Sequence, residues 1–512
     1  MESINLNVFE SYLVDEFDTK KQFFDKPGTE HYQLLAWLST TFDNDIIIDI
    51  GTHRGSSSLA LSYNNSNTVY TFDIANNNLI KRDNIEFYQE NLWDPDVLNR
   101  WKTTILSSPL IFLDIDPHEG TMEYTFYEWL LANNYAGMLV CDDIWYFKEM
   151  RDNFWYRIPE KFKEDLTHIG HWSGTGIITF KDNRPIVDDN WTIVTAYFNL
   201  TKQPDASQAI KDRPLSFYMK TANTTMSIEK NLIVYCDSDS LDILKSMRPA
   251  HLLSKTRFII LEFHDIPIVS ENFERIDGSR KRRNYCPDPR NTTSYYLFCM
   301  SRYYLVLQSI KNNPFNSTHF AWCNICIERM SWKCGMYLPS IWKQQRDKFS
   351  TCYIDYQSKK WTLNLEEYYR YGRCGMCSGF FTGNIKYFSQ FCNLILSKFS
   401  KMADIGLGHA DEQLYSLVYF DNPEIFEFYY GDYTEMIINY CTIKDHPEKV
   451  VQNFMRNITF NIKNNEIDNI SSNYKLLLHS TTKWLSETNT NNQTLINEVK
   501  LYHSFAQNYL NN

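Results

Sequence analysis

The chain has 512 residues, of which 43% are hydrophobic and 22% are charged, and its formal net charge is -11 at pH 7. A globular chain of this length is too long for one core, so we predict two or more domains. The negative charge argues against nucleic acid or an anionic membrane as a partner. We expect a soluble cytoplasmic protein, because the sequence lacks a secretory signal and an apolar stretch of about 18 residues.

Short apolar segments alternate with helical segments from about residue 45 to residue 180. The apolar segments cover residues 46–48, 69–72, 110–113, 137–140 and 177–180. Crossovers of this length predict an α/β domain with a parallel, doubly wound, Rossmann-like sheet. The charged segment KDNRPIVDDN, residues 181–190, interrupts the pattern, and we place a domain boundary there.

IIIDIGTHRGSSSLALS, residues 46–62, has the pattern of a strand, a turn and a helix. Gly51 and Gly55 would let a ligand approach the backbone, and the helix that follows would offer free N–H groups. One strand later, VYTFDIA places Asp73 at a strand end, where a carboxylate could accept hydrogen bonds from a ribose diol. Each motif alone is more often purely structural, but their order and spacing favour a nucleoside-bearing cofactor.

IFLDIDPHEG, residues 111–120, ends an apolar strand with Asp114, Asp116 and His118. Polar groups at the end of a buried strand either meet solvent or need partners. The three residues are therefore either a polar strand exit or the rim of a site.

Residues 28–182 resemble the class I S-adenosylmethionine-dependent methyltransferases through DIGTHRG, Asp73, LDIDPHEG, VCDDI and HWSGTGIITF. They are most similar to metal-dependent O-methyltransferases that act on sugars and small phenols. The resemblance implies that S-adenosylmethionine binds at Asp49, Gly51, Gly55 and Asp73. It implies Mg²⁺ at Asp114, Asp142 and Asp143, with Asp116 as the rival for the first ligand position. His118 would be the general base for a substrate hydroxyl.

A second alternation of apolar strands begins at residue 191 and continues at residues 232–235 and 258–261. The basic stretch from Ser279 to Thr293 is predicted to be a loop. Beyond about residue 445 the leucine spacing indicates a helical extension. We therefore divide the chain into residues 1–185, 190–445 and 446–512.

The second of these regions contains TIVTAYFNL at 192–200, residues 301–322, GHADEQLYSLVYFDNPEIF at 408–426 and YYGDYTEMIINY at 429–440. Through these stretches it resembles glycosyltransferase-like proteins known as HtrL and YibB. The resemblance implies a GT-A-like fold and a nucleotide sugar as donor. Where the family has Trp-x-Asp, this chain has Trp322-Cys323-Asn324. A neutral amide binds a divalent ion less strongly than a carboxylate, so we expect weak or absent Mn²⁺ dependence.

Further residues of this region are expected to form the cleft. Asp411 and Glu412 are candidates for the base that activates an acceptor, and Asp432 and Tyr433 would shape the same cleft. Arg302 or the basic segment 280–283 would neutralise a diphosphate. Asp237-Ser238-Asp239 also fits an acidic metal motif, although a polar strand exit is the simpler interpretation.

The cysteines leave several alternatives open. The pairs Cys323/Cys326 and Cys374/Cys377 have the spacing of structural Zn²⁺ ligands. The gap between the pairs is long for a zinc ribbon, and free thiols in an aromatic core or a disulfide are the other interpretations.

These patterns predict a bifunctional glycan-modifying enzyme that methylates a sugar and transfers a glycosyl unit. One alternative is a methyltransferase with a degenerate domain that only binds glycan, and another is a non-enzymatic scaffold. Association into a homo-oligomer, the sugars and the linkage stay open.

Overall fold

A computed structural model of the chain describes residues 4–9, 23–78, 80–180, 190–283, 288–372, 374–408, 410–488 and 490–511. The chain divides into two compact units, Met1–Val187 and Asp188–Asn512. Most of the predicted boundary segment, residues 181–189, lies outside the described residues. None of the described helices is both long enough and apolar enough to cross a membrane.

The described part of the first unit contains a seven-stranded sheet with the order β3-β2-β1-β4-β5-β7-β6. All neighbours in it run parallel except β7, which is antiparallel to both β5 and β6. The strands are β1 (Ile46–Ile50), β2 (Thr68–Asp73), β3 (Ile85–Gln89), β4 (Leu110–Leu113), β5 (Met138–Cys141), β6 (Lys163–Asp165) and β7 (Gly176–Thr179). The predicted α/β architecture is confirmed, and the antiparallel strand β7 is the part that the pattern does not reveal.

Helices cover this sheet and bury its apolar strands. The central strand β1 is almost completely buried because Leu34 and Leu59 on neighbouring helices pack into the same core. The helices are α1 (Tyr32–Ser39), α2 (Ser56–Leu61), α3 (Pro95–Ser107), α4 (Thr121–Ala132) and α5 (Lys148–Asn153).

The second unit is built on another seven-stranded sheet among its described residues, with the order β10-β9-β8-β11-β13-β12-β14. The strands β10, β9, β8 and β11 are parallel, whereas β13 is antiparallel to β11 and β12. The strands are β8 (Trp191–Tyr197), β9 (Asn231–Cys236), β10 (Thr256–Ile260), β11 (His319–Cys323), β12 (Phe349–Tyr353), β13 (Met376–Asn384) and β14 (Phe426–Tyr430). Aromatic side chains dominate one core of this unit, where Phe349 stacks on Phe391 with 3.5 Å between the ring centroids.

The described helices of the second unit pack on both faces of the sheet and continue beyond it. They are α6 (Gln208–Lys211), α7 (Leu215–Met219), α8 (Asn223–Met226), α9 (Leu241–Met247), α10 (Pro267–Ser270), α11 (Phe273–Arg283), α12 (Thr293–Asn312), α13 (Cys334–Ile341), α14 (Leu365–Arg370), α15 (Ile385–Asp404), α16 (Asp411–Asp421), α17 (Pro447–Asn464), α18 (Ile467–Glu487) and α19 (Gln493–Asn511). The last three pack together around Phe454, Leu477 and Ala506.

The predicted loop from Ser279 to Thr293 is wrong at its beginning but ends where it was expected to end. Helix α11 continues through Arg283, and α12 begins at Thr293. The basic side chains of α11 lie in its last turn, where positive charge interacts favourably with the helix dipole. The composition of the segment suggested a loop, but charged residues and asparagine are common both in loops and at the ends of helices.

We predict that Gly51→Ala destabilises the first unit. Gly51 has φ +99°, and a Cβ there would come 1.7 Å from the main-chain oxygen of Asp114. Backbone cannot yield as a flexible side chain can, so the free energy of unfolding should fall by about 2 kcal/mol or more. Urea unfolding followed by circular dichroism measures this loss.

Gly278→Ala is the matched control, because a Cβ at this helical position meets nothing closer than 3.4 Å. It should leave the free energy of unfolding unchanged or raise it by up to about 1 kcal/mol. Equal stabilities of the two variants would contradict the packing described for Gly51.

Candidate active sites

The first candidate site lies where β1 and β4 end side by side. These two strands are neighbours in the sheet, but β2 lies on the far side of β1 and β5 lies on the far side of β4. The connections that leave β1 and β4 therefore run in opposite directions, which leaves a crevice at the carboxyl ends of the two strands. Gly51 follows β1 and packs directly against the backbone of Asp114, which follows β4. Gly55 has φ +95° and begins helix α2. The structure therefore brings Gly51, Gly55 and Asp114 to one edge of the sheet, as the topology of a ligand site requires.

Asp73 and Asp49 hold the turn between β1 and α2. Asp73 ends β2, and its two oxygens accept hydrogen bonds from the main-chain N–H groups of His53 (2.8 Å) and Ala75 (2.9 Å). Asp49 is fully buried within β1, and its Oδ2 accepts hydrogen bonds from Ser58 and Thr71. Burial raises the pKa of Asp49, while these hydroxyl groups lower it. Asp73 thus holds the turn that follows β1, whereas Asp49 holds the first turn of helix α2 through its serine hydroxyl groups.

The predicted metal ligands fall into two neighbouring groups. In the first, ligand atoms of Asp114, His118 and Asp143 lie within 4.8 Å of one another. In the second, ligand atoms of His31, Asp142 and His171 likewise lie within 4.8 Å of one another. His118, predicted as the general base, is therefore close enough to the carboxylates to serve as a ligand. Asp116 is 93% exposed and contacts His118 Nε2 at 3.2 Å.

The sequence analysis missed the two histidines of the second group. His171 Nδ1 is 2.9 Å from Asp142 Oδ2, and His31 Nδ1 is 3.4 Å from the same oxygen. Thr175 Oγ1 donates to the other oxygen of Asp142 at 3.3 Å. His171 lies in the motif HWSGTG and could have been noticed there, but His31 precedes α1 with no motif around it.

Charge is distributed unevenly over the three aspartates. Although burial raises the pKa of Asp142, the positive charge of His31 and the hydrogen bond from His171 lower it well below its usual range. Burial and the nearby charge of Asp142 raise the pKa of Asp114, and the same two causes raise that of Asp143. Asp142 is therefore held in its ionised form by the histidines, whereas Asp114 and Asp143 hold their protons more tightly because their pKa values are raised, and Asp143 Oδ2 lies 3.3 Å from His118 Nε2.

The second candidate site is a cavity of about 520 Å³ at the carboxyl ends of β8 and β11. Here too the two neighbouring strands continue in opposite directions along the sheet: β9 and β10 lie beyond β8, whereas β13, β12 and β14 lie beyond β11. The predicted residues that line this cavity are Arg302, Asn324, Asp411, Glu412 and Tyr433. Residues that are far apart in the sequence thus share one enclosed space.

Arg302 forms the buried centre of this second site. Its guanidinium donates to the main-chain oxygen and the Oγ of Ser378, each at 3.0 Å, and lies 3.4 Å from Asp411 Oδ2. The same Asp411 oxygen accepts a hydrogen bond from Tyr303 at 2.8 Å. Asp411 is therefore occupied by internal partners, which favours Glu412 as the residue that acts on a ligand.

Glu412 lies beside this network and is held by two neighbours. Tyr433 donates to Glu412 Oε2 at 2.5 Å, and the N–H of Ser378 donates to Oε1 at 3.1 Å. Burial, reinforced by the charge of Asp411, raises the pKa of Glu412 to about 7, and these hydrogen bonds moderate the rise. A carboxylate with this pKa can take and release a proton near neutral pH.

Two other predicted residues have local structural roles. Asn324 follows β11, and its Oδ1 accepts a hydrogen bond from Trp322 Nε1 at 2.9 Å. Asp432 accepts a hydrogen bond from the N–H of Tyr433 at 2.7 Å and caps the turn Tyr433–Glu435. Asp237 likewise caps a turn by accepting from Ser240, as a polar strand exit does.

The basic segment that was considered for a diphosphate has partners elsewhere. Arg280 donates to Asn291 and Arg283 pairs with Glu366. Instead, the cavity is lined by three arginines that the sequence analysis did not select: Arg213, Arg290 and Arg329. No motif surrounds them, and only the fold brings their three segments together.

None of the eleven cysteines that the structure describes forms a disulfide bond. Within the described residues, no cysteine belongs to a group of three metal-ligating side chains. Cys323 is buried beside Thr225, and Cys377 is buried in the same core as Cys352. The two C-x-x-C pairs therefore do not form a four-thiolate zinc site here.

Comparison with known proteins adds a family match for the second unit. Residues 189–442 match the family described as "Bacterial protein of unknown function (HtrL_YibB)", and all of these residues lie in the second unit. No curated protein matches the chain.

Three solved structures are similar to parts of the chain. Mouse xyloside xylosyltransferase 1 is 11% identical with a TM-score of 0.26, covering 46% of this chain and 84% of its own. The 4-diphosphocytidyl-2C-methyl-D-erythritol synthase of Anaerococcus prevotii is 13% identical with a TM-score of 0.25, covering 51% and 94%. Core-mannan synthase A of Aspergillus fumigatus, in a Mn/GDP form, is 11% identical with a TM-score of 0.29, covering 48% and 74%.

We predict that Glu412→Gln removes a pH dependence of stability. The folded protein holds the Glu412 proton up to about pH 7, whereas an ordinary solvent-exposed glutamate loses it near pH 4.5. Because the folded state binds more protons over this range, the free energy of unfolding should fall as the pH rises from about 4.5 to 7. Chemical denaturation at several pH values measures the difference between the wild type and the variant.

Glu424→Gln is the control, because Glu424 is exposed on a surface turn. It should change stability equally at all of these pH values. A constant difference between Glu412→Gln and the wild type across the same range would contradict the raised pKa.

Proposed function

We propose that the second unit is a glycosyltransferase that uses a nucleotide sugar as donor. The observation that carries this proposal is the cavity at the carboxyl ends of β8 and β11, which combines a candidate base, Glu412, with several arginines. Cavities at such switch points are where α/β sheets bind ligands. The resemblance to the HtrL and YibB proteins covers the same residues and supports the assignment.

The residues of this cavity fit the chemistry of glycosyl transfer. Glu412 would accept the proton of an acceptor hydroxyl, whose oxygen forms a bond with the anomeric carbon of the donor sugar. The bond between that carbon and the diphosphate oxygen breaks, and its electron pair leaves with the diphosphate. Tyr433 and Ser378 hold the Glu412 carboxylate in place for this proton transfer. The arginines would stabilise the negative charge of the departing diphosphate.

We predict that Glu412→Gln lowers glycosyl transfer by about 100-fold or more, as expected for the loss of a general base. The affinity for the nucleotide sugar should change little, because the amide keeps the size of the side chain. A panel of uridine, guanosine and thymidine diphosphate sugars, assayed for release of the nucleoside diphosphate and for binding by calorimetry, measures both quantities.

Glu424→Gln serves again as the exposed control and should retain full activity. If none of the nucleotide sugars binds to the wild type, the second unit is better described as a glycan-binding domain. Transfer that survives Glu412→Gln would remove Glu412 from the reaction.

We also propose that the first unit is an S-adenosylmethionine-dependent O-methyltransferase for a sugar-like diol. The supporting observation is the group of Asp114, His118 and Asp143 at the switch point of its sheet. Two carboxylates with raised pKa values so close together suit a divalent cation. Bound Mg²⁺ would lower the pKa of a coordinated substrate hydroxyl. Asp114 and Asp143 are the ligands that this arrangement favours, with Asp142 held by its histidines.

The same edge of the sheet fits the cofactor. Asp73 is fixed at the end of β2 by main-chain N–H groups and retains acceptor capacity for ribose hydroxyls. The next residue, Ile74, is 73% exposed, which leaves an apolar side chain for one face of an adenine ring. His118 would take the proton from the hydroxyl that is methylated. Together, the two proposals describe a bifunctional glycan-modifying enzyme.

We predict that a double variant, Asp114→Asn with Asp143→Asn, loses Mg²⁺ binding but keeps S-adenosylmethionine binding. Removing both charges abolishes the attraction for a hard cation, while the cofactor contacts at Asp73 remain. Asp73→Ala should have the opposite effect and weaken the cofactor by about tenfold or more. Calorimetry with each ligand separately measures the four affinities. Equal loss of both ligands in both variants would contradict two separate subsites.

A further inference from the structure

Three arginines reach the cavity of the second unit from separate parts of the chain. Arg213 follows helix α6, Arg290 precedes helix α12, and Arg329 ends the turn that follows β11. Arg213 is half-buried, and the other two are exposed at the cavity wall. Their convergence places three guanidinium groups along a cavity that is also lined by Asp288, Asp411 and Glu412.

Aromatic rings orient two of these arginines. The guanidinium carbons of Arg213 and Arg329 lie 5.3 Å and 4.9 Å from the ring centre of the same residue, Phe217. Arg329 also lies 6.0 Å from the ring of Tyr218. A guanidinium that rests on a ring keeps its N–H groups available at the edges of its plane. Both cations are thus positioned around one aromatic platform.

The acidic groups of the cavity do not neutralise this pair. Asp288 pairs with Arg290, and Asp411 pairs with Arg302. Among the residues that the structure describes, neither Arg213 nor Arg329 lies within 4.0 Å of a carboxylate oxygen. Arg329 contacts Cys326 Sγ at 3.9 Å, and the pKa of Asp288 is lowered chiefly by Arg290 and further by the charge of Arg213, but neither Arg213 nor Arg329 is held in an ion pair among the described residues.

The donor set at the end of β11 is weak for a divalent metal ion. No group of three metal-ligating side chains occurs there among the described residues. At the end of β11 stands Asn324, whose amide oxygen already accepts the Trp322 indole N–H. Fixed guanidinium groups that bind phosphate oxygens in pairs do not require a metal ion.

We propose that Arg213 and Arg329 form a diphosphate subsite that works without a divalent metal ion. This inference rests on the proposed glycosyl transfer and specifies how its donor is held. The two arginines bind the diphosphate of a nucleoside diphosphate sugar, whereas Arg290 stays paired with Asp288 at the cavity wall. The nucleoside and the sugar occupy the remainder of the cavity.

Calorimetry on the full chain in the presence of EDTA tests the subsite. The probes are inorganic pyrophosphate, uridine diphosphate, guanosine diphosphate and uridine monophosphate. Pyrophosphate and at least one diphosphate should bind without metal, and the monophosphate should bind more weakly. Arg213→Gln and Arg329→Gln should each weaken diphosphate binding by about tenfold or more. Arg329→Lys should recover part of the loss, because it restores charge without the planar group.

Arg257→Gln is the matched control. Arg257 also lies over an aromatic ring, 5.3 Å from the centre of Phe315, but it does not line the cavity. This variant should bind all probes as the wild type does. Circular dichroism of each variant verifies that a loss of binding does not reflect unfolding.

The remaining outcomes separate this inference from the proposed function. Diphosphate binding that needs Mn²⁺ and survives both arginine changes overturns the subsite but leaves glycosyl transfer intact. Metal-independent binding that depends on the arginines, without transfer from any nucleotide sugar, supports the subsite and overturns the proposed transfer. Absence of binding by every probe overturns the subsite.

Discussion

The second unit depends on the burial of one charged side chain, Arg302, which is only 4% exposed. A guanidinium away from water needs partners for its donors, and here the two terminal nitrogens donate to Ser378, Asp411 and Cys299, whereas Nε has no hydrogen-bond partner among the described residues. The three partners belong to β13, α16 and α12. The hydrogen bonds of Arg302 and its ion pair with Asp411 therefore join these three elements. They also place Glu412, the residue after Asp411, at the cavity. Removing either charge would leave the other buried and alone.

The first unit also gathers charged groups at the ends of its strands, but there the groups are carboxylates. Three carboxylates meet at the ends of β4 and β5, and the histidines His31 and His171 compensate one of them. The other two, Asp114 and Asp143, have raised pKa values and form with His118 a group of side chains that could hold a cation. In both units the charged groups gather where neighbouring strands lead to opposite sides of the sheet, because only there do loops from several strands converge.

The sequence predicts much of this arrangement because strand ends are visible in it. Apolar runs followed by Asp73, Asp114 and Asp142 identify both the strands and the edge where they finish. The alternation also predicts two α/β regions, but it cannot reveal the antiparallel strands β7 and β13, whose direction is decided by tertiary packing. His31 and Arg213 were missed for a similar reason. Each stands in an ordinary local sequence and becomes significant only through neighbours that are distant along the chain.

The central claim is that the cavity of the second unit holds a nucleoside diphosphate between its arginines and Glu412. A crystal structure of the full chain with the tightest-binding nucleoside diphosphate, grown in EDTA, tests this claim most directly. Our account predicts that the diphosphate oxygens contact the guanidinium groups of Arg213 and Arg329 and that no metal ion intervenes. A nucleotide bound outside this cavity, or one whose phosphates contact neither arginine, would contradict it.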